Sequence, residues 1–197
     1  MWAVAVLLSV ALVAAGCGGG SSSPKSSPSS SGSGTGTGAP APVAKVVLGK
    51  VAGGVIQPNR RIFGKHRKAV LAGVGKAVES WMNGGYVGVS YPRTSYPAAF
   101  DAFTKPAARE ARHQQWLMTA AKLGKQIDGI SVKKQDVAVD VLAPHGRPAG
   151  ATARVRLVFT TTGRVQTRVA ITGRLFLLPG SNGSWQIFGY DVSRGTA

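Results

Sequence analysis

Residues 135–159, QDVAVDVLAPHGRPAGATARVRLVF, carry the pattern that decides the fold. Val137, Val139 and Val141 recur at every second position, with Asp136, Ala138 and Asp140 between them. Successive side chains of a strand point to opposite faces, so this alternation sets three valines against a core and two carboxylates in water. Pro144-His145-Gly146-Arg147-Pro148 reads as a turn, since proline fixes φ and glycine tolerates left-handed backbone. The alternation then resumes, with Val155, Leu157 and Phe159 on one side and Arg154 and Arg156 on the other. Two amphipathic runs joined by a turn predict an antiparallel hairpin with one dry and one wet face.

The same period continues toward the C-terminus. Thr162-Gly163 makes a turn, after which Val165, Val169, Ile171 and Leu175 oppose Arg164, Gln166, Arg168 and Arg174. Pro179-Gly180-Ser181-Asn182-Gly183 closes a last hairpin before Trp185, Ile187 and Tyr190. The chain from Ile130 onward is therefore expected to form a four-stranded antiparallel meander.

Upstream the period is helical. Val70, Leu71, Val74, Ala77, Val78 and Trp81 form one stripe and predict a helix from about Lys65 to Asn83, stopped by Gly84-Gly85 in a left-handed cap. Pro97 opens a short helix that sets Phe100 and Phe103 on one side. Thr104 caps a third helix expected over Pro106 to Lys122, with Ala108, Ala111, Gln115 and Met118 on one stripe and Trp116 and Leu117 beside it. Ala44 to Ile56 fits an edge strand or an extended segment. Helices followed by a meander give an α+β fold.

The first fifteen residues, MWAVAVLLSVALVAA, hold no charge and are too short to span a bilayer, which needs roughly 20 apolar residues. They suit the apolar region of a signal peptide over residues 1–16. Ala14-Ala15-Gly16-Cys17 follows, and Cys17 is the only cysteine. Small residues before a cysteine resemble the lipobox of bacterial lipoproteins, although Ala14 stands where a larger aliphatic residue is usual. The resemblance implies a diacylglyceryl group on Cys17 and a lipid-anchored protein on the outer face of the cell membrane. Cleavage after Ala15 with release, or an uncleaved anchor, are the other readings. With no second cysteine the monomer can form no internal disulfide, and its stability must come from its core.

Residues 17–43 are rich in Gly, Ser and Pro and are expected to be a disordered, flexible tether. Its root-mean-square reach is roughly 25–30 Å. Residues 44–197 then suffice for a single domain.

Helices, then a curved meander ending in SWQIFGYDV (184–192), resemble the nuclear transport factor 2-like superfamily over about Gly64 to Arg194. The nearest flavour is that of actinobacterial extracytoplasmic proteins, including those associated with mammalian-cell-entry transporters. The resemblance implies N-terminal helices packed on a bent four-stranded sheet, forming a cone-shaped pocket. Some enzymes of this fold shuttle protons through His and Asp, which would single out His113 with Asp101, Tyr86 or Asp191.

Lys plus Arg number 24 against 7 Asp plus Glu, a formal charge of +17. Such an excess speaks of anionic partners more than of fold. One candidate surface is the wet-face row Arg154, Arg156, Arg164, Arg168 and Arg174, which two aspartates cannot neutralise. A solvated face with some heads paired to Asp136 or Asp140 is the plainer reading. A second cluster, Arg60, Arg61, Lys65, His66, Arg67 and Lys68, sits at the start of the first helix, where cations meet the unfavourable end of the dipole. The partners these surfaces suit are anionic lipids, wall polymers or an envelope protein complex. Export and the absence of helix-turn-helix or zinc spacing argue against nucleic acid. His66, His113 and His145 are scattered, so no metal or other cofactor is expected. No catalytic motif identifies an enzyme. The expected function is a non-enzymatic binding or assembly module at the cell envelope. The alternative is a carrier of, or small enzyme on, a hydrophobic molecule in a pocket built from Trp81, Tyr86, Phe100, His113, Trp116 and Trp185.

Overall fold

The computed structural model of the chain describes residues 44–197; the signal peptide, Cys17 and the tether expected over 1–43 lie outside them. Five strands make one sheet in the spatial order of the chain: β1 (Lys45–Ala52), β2 (Gly129–Leu142), β3 (Gly150–Thr162), β4 (Arg168–Pro179) and β5 (Trp185–Thr196). Strands β2 to β5 pair antiparallel in succession, as the alternation requires. β1 pairs parallel to β2, with Lys45 beside Asp136 and Val51 beside Val141. The four-stranded antiparallel sheet expected from the sequence is thereby corrected to a mixed sheet of five. A parallel neighbour needs a long crossover, and the entire helical region between β1 and β2 supplies it. The strand signal in β1 is faint because none of its eight side chains is fully buried.

Helix α1 (Arg60–Met82) begins five residues before the expected start. The Asn59 side-chain oxygen accepts from the backbone N–H groups of Arg61 and Ile62, both at 3.1 Å, and this cap fixes the start. Val70, Val74, Ala77, Val78 and Trp81 are buried, so the predicted stripe faces the core. The expected left-handed stop at Gly84-Gly85 does not form. The chain winds on through a wide π-type turn, Asn83–Val87, and neither glycine has a positive φ. What Gly84 supplies is close approach: a Cβ there would lie 2.6 Å from the carbonyl carbon of Ala98.

A short 3₁₀ turn, Pro97–Phe100, follows, and Phe100 meets Phe103 edge-on with ring centroids 5.6 Å apart. The third predicted helix is real but broken, into α2 (Lys105–His113), α3 (Gln115–Met118) and a 3₁₀ turn at Ala120–Lys122. Thr119 turns fully extended, and its hydroxyl donates to the Gln115 carbonyl and accepts from the Ala121 N–H. A local side-chain bond of this kind competes with helix continuation.

The break strands the carbonyls that a longer helix would satisfy. Side chains from three other elements meet them. The Trp81 indole donates to Met118 O at 2.9 Å, and the Tyr86 hydroxyl donates to Leu117 O at 2.6 Å. The Arg194 guanidinium donates to Trp116 O at 3.2 Å and Thr119 O at 3.3 Å.

The inner sheet face completes the core in cross-strand rows, such as Val139, Ala153, Leu175 and Tyr190. The helices pack here, leaving the opposite face of the sheet to solvent. Among the described residues no helix is long and apolar enough to cross a membrane.

Candidate anionic-partner surface

The register of β2 to β5 decides where the arginines fall. Arg154 on β3 lies directly across from Arg174 on β4, a pairing of like charges that costs stability. Each is drawn to the opposite side by a carboxylate. Arg154 reaches back to Asp140 on β2, with Nε to Oδ2 at 3.0 Å and Nη2 to Oδ1 at 3.3 Å. Arg174 reaches forward to Asp191 on β5 at 2.6 Å. The two cations are thus splayed apart on the outer face, and each keeps its partner on its own flank.

Asp140 is held more tightly than an exposed ion pair would be. Partial burial pushes its pKa up, but the Lys50 N–H at 2.6 Å, the Arg154 hydrogen bond and the charges of Arg154 and Lys50 outweigh that. Its carboxyl therefore lies below the ordinary range. The Lys50 contact depends on an irregularity in the β1–β2 register between Leu48 and Val51, which frees that N–H from the ladder.

Arg156 faces Asp136 across β2 and β3, yet Asp136 pairs with Lys134 at 3.1 Å instead. Arg164 belongs to the turn between β3 and β4, and Arg168 is the first residue of β4. Among the described residues Arg156, Arg164 and Arg168 make no ion pair and are exposed. The predicted row of five therefore resolves into two neutralised arginines near the sheet centre and three free ones toward its Thr162 end.

The second cluster occupies the opposite end of the molecule. Arg60 and Arg61 prove to be the first two residues of α1, and Lys65, His66, Arg67 and Lys68 follow on its exposed side. The first turn contains no acidic residue. Arg60 and Arg67 line a cleft of about 700 Å³ between α1 and the end of β1, together with Leu48, Gly54 and Phe63, and no carboxylate lines it.

The six residues expected to line a cone pocket do not converge. Trp81 and Tyr86 are fully buried and touch edge-to-face at 5.9 Å. Phe100 packs with Phe103, and Trp185 sits over Gly73 of α1 in a surface cleft of about 380 Å³ that contains none of the other five. His113 is exposed, and Trp116 is 54 % exposed under the Lys122 ammonium. The implied proton-shuttle partners are equally dispersed: Tyr86 is committed to Leu117 O, and Asp191 to Arg174 on the outer face. Among the described residues no three His, Cys, Asp or Glu side chains are grouped to hold a metal.

Lys50 and Arg194 carry no signal in the sequence, since a lone cation makes no pattern. Val55 and Ile56, expected at the end of an edge strand or extended segment, instead follow the Gly53-Gly54 pair in a turn beyond β1. Comparison of the chain with family models, with curated proteins and with solved structures finds no match.

Proposed function

We propose that the chain is an extracytoplasmic lipoprotein, anchored through Cys17, whose cone-like domain of nuclear transport factor 2-like type is a non-enzymatic binding or assembly module at the cell envelope. One observation carries the reading: among the described residues Arg156, Arg164 and Arg168 stand exposed toward one end of the sheet and none of them is engaged in an ion pair. Held on the strands or in the turn that joins them, and weakly screened at contact distance, such cations suit an acidic partner surface. A carrier or enzyme built on the cone draws no support from the dispersed positions of Trp81, Tyr86, Phe100, His113, Trp116 and Trp185.

The test reverses only the unpaired arginines, Arg156→Glu, Arg164→Glu and Arg168→Glu, so that the Asp140 and Asp191 pairs survive. Envelope components that co-purify with the wild type from solubilised membranes should be lost, with the thermal midpoint retained. Undiminished co-purification overturns the module. Palmitate labelling of the wild type but not of Cys17→Ala checks the anchor separately.

A further inference from the structure

The end of the domain that carries the α1 cations also carries Val55, the most exposed large apolar side chain among the described residues. After β1 the chain turns through Gly53 and Gly54, the latter at φ +64°, and the Ile56 N–H closes the turn on the Gly53 carbonyl at 3.2 Å. That geometry thrusts Val55 outward, 104 % exposed, with Ile56 at 42 %. Leu142, at the end of β2, is 43 % exposed and lies beside Gly54, so it broadens the same patch. Single exposed aliphatic residues are ordinary, but here three stand on or beside one projecting turn. Immediately behind them lies the cleft lined by Arg60 and Arg67 and by no carboxylate.

An apolar tip backed by a ring of cations is the arrangement of a protein that dips into a bilayer interface. The aliphatic side chains enter the acyl boundary while the cations meet the headgroup phosphates. An acidic protein partner would use the arginines and has no need of a fully exposed valine. The path of the chain agrees with this. The domain is entered at Lys45, and β1 carries it about 26 Å to the tip at 3.3 Å per residue. The tether expected over residues 17–43 would, as a flexible chain, have a comparable reach of roughly 25–30 Å. A chain tethered at Cys17 can therefore turn this end down onto the surface that holds it.

We infer that the β1–α1 turn and the start of α1 form a membrane-docking tip, Val55 and Ile56 inserting into an anionic phospholipid surface with Arg60 and Arg67 on its phosphates. The inference rests on the envelope reading above but uses a different surface from the sheet arginines.

Because Cys17 is the only cysteine, a Cys17→Ala chain bearing Val55→Cys takes a single environment-sensitive nitrobenzoxadiazole label, and Ser131→Cys at the far end of β2 serves as its control. Vesicles of pure phosphatidylcholine are compared with vesicles of equal parts phosphatidylcholine and phosphatidylglycerol. Any partitioning of residues 1–16 contributes to both. The label at 55 should brighten and shift to the blue with the anionic vesicles, the label at 131 should not, and Arg60→Glu with Arg67→Glu should abolish the change. A silent label at 55 overturns the inference, as does an equal response to neutral vesicles. A response at both sites, meaning unfolding on lipid, also overturns it, and so does a concentration-dependent response without lipid, meaning self-association. The Arg156, Arg164 and Arg168 reversal should leave the signal intact, which separates failure of the tip from failure of the sheet surface.

Discussion

The indole N–H of Trp81, at the end of α1, is the hydrogen-bond donor for Met118 O, the last carbonyl of α3. Both groups are fully buried, so the bond has no competition from water. Together with the Tyr86 hydroxyl on Leu117 O, it makes the end of α1 and the π-type turn after it the cap of a helix that cannot cap itself.

Trp81→Phe and Tyr86→Phe should each destabilise the domain by about 1–3 kcal/mol, the cost of leaving a buried carbonyl unpaired, with some loss of packing added for Trp81. Because both donors hold one turn, their effects should not be additive. A double-mutant cycle by chemical denaturation should read a coupling of about 0.5 kcal/mol or more.

Gly84→Ala should cost about 1–3 kcal/mol through overpacking, since its methyl would meet the Ala98–Ala99 backbone rather than a yielding side chain. A control at Gly64→Ala, where a Cβ meets nothing within 4 Å, should be neutral or stabilising because it removes a helix-interior glycine. Thermal melts of the two variants check the contrast.

Asp140 has a folded pKa below its ordinary value of 3.8. A depressed carboxylate contributes stability that is whole above the unfolded pKa and is lost as pH falls through the folded one. The difference in unfolding free energy between wild type and Asp140→Asn should therefore be constant from pH 7 to about pH 5, then shrink below about pH 4. Both Asp140 and Arg154 are partly exposed, which keeps the plateau near 1 kcal/mol or less.

All four tyrosines, Tyr86, Tyr91, Tyr96 and Tyr190, have pKa values raised above 10, with burial the first cause in each. The fold thus favours the neutral phenol, and its contribution is complete below pH 10 and declines as pH rises beyond it. Ultraviolet titration should show the phenolate signal of the folded domain developing at higher pH than that of the unfolded chain.

The meander was legible because Val137, Val139, Val141, Val155, Leu157 and Phe159 bury one face and wet the other, and period two has only one reading there. β1 was legible as strand-like, but its pairing was not: Lys45 meets Asp136 across 91 positions, and no local pattern encodes a partner so distant. The broken third helix was hidden for a related reason. The stripe through Ala108, Ala111 and Met118 is helical, and its break at Thr119 is sustained by Trp81, Tyr86 and Arg194, distant donors to the carbonyls it leaves free. Of the candidate surfaces, the arginine positions were readable from alternation, whereas their neutralisation was not. That depends on which carboxylate each arginine leans toward once Arg154 and Arg174 are set opposite one another.

The parallel edge strand has a mechanical consequence. Ala44, the first described residue, leads directly into β1, whose ladder bonds to β2 run side by side along the strand. A pull on Ala44 along the strand axis loads those bonds in shear, all sharing the force. An edge strand pulled across its axis would instead be peeled off one bond at a time. Force along β1 is therefore carried by the ladder as a whole rather than by its first bond.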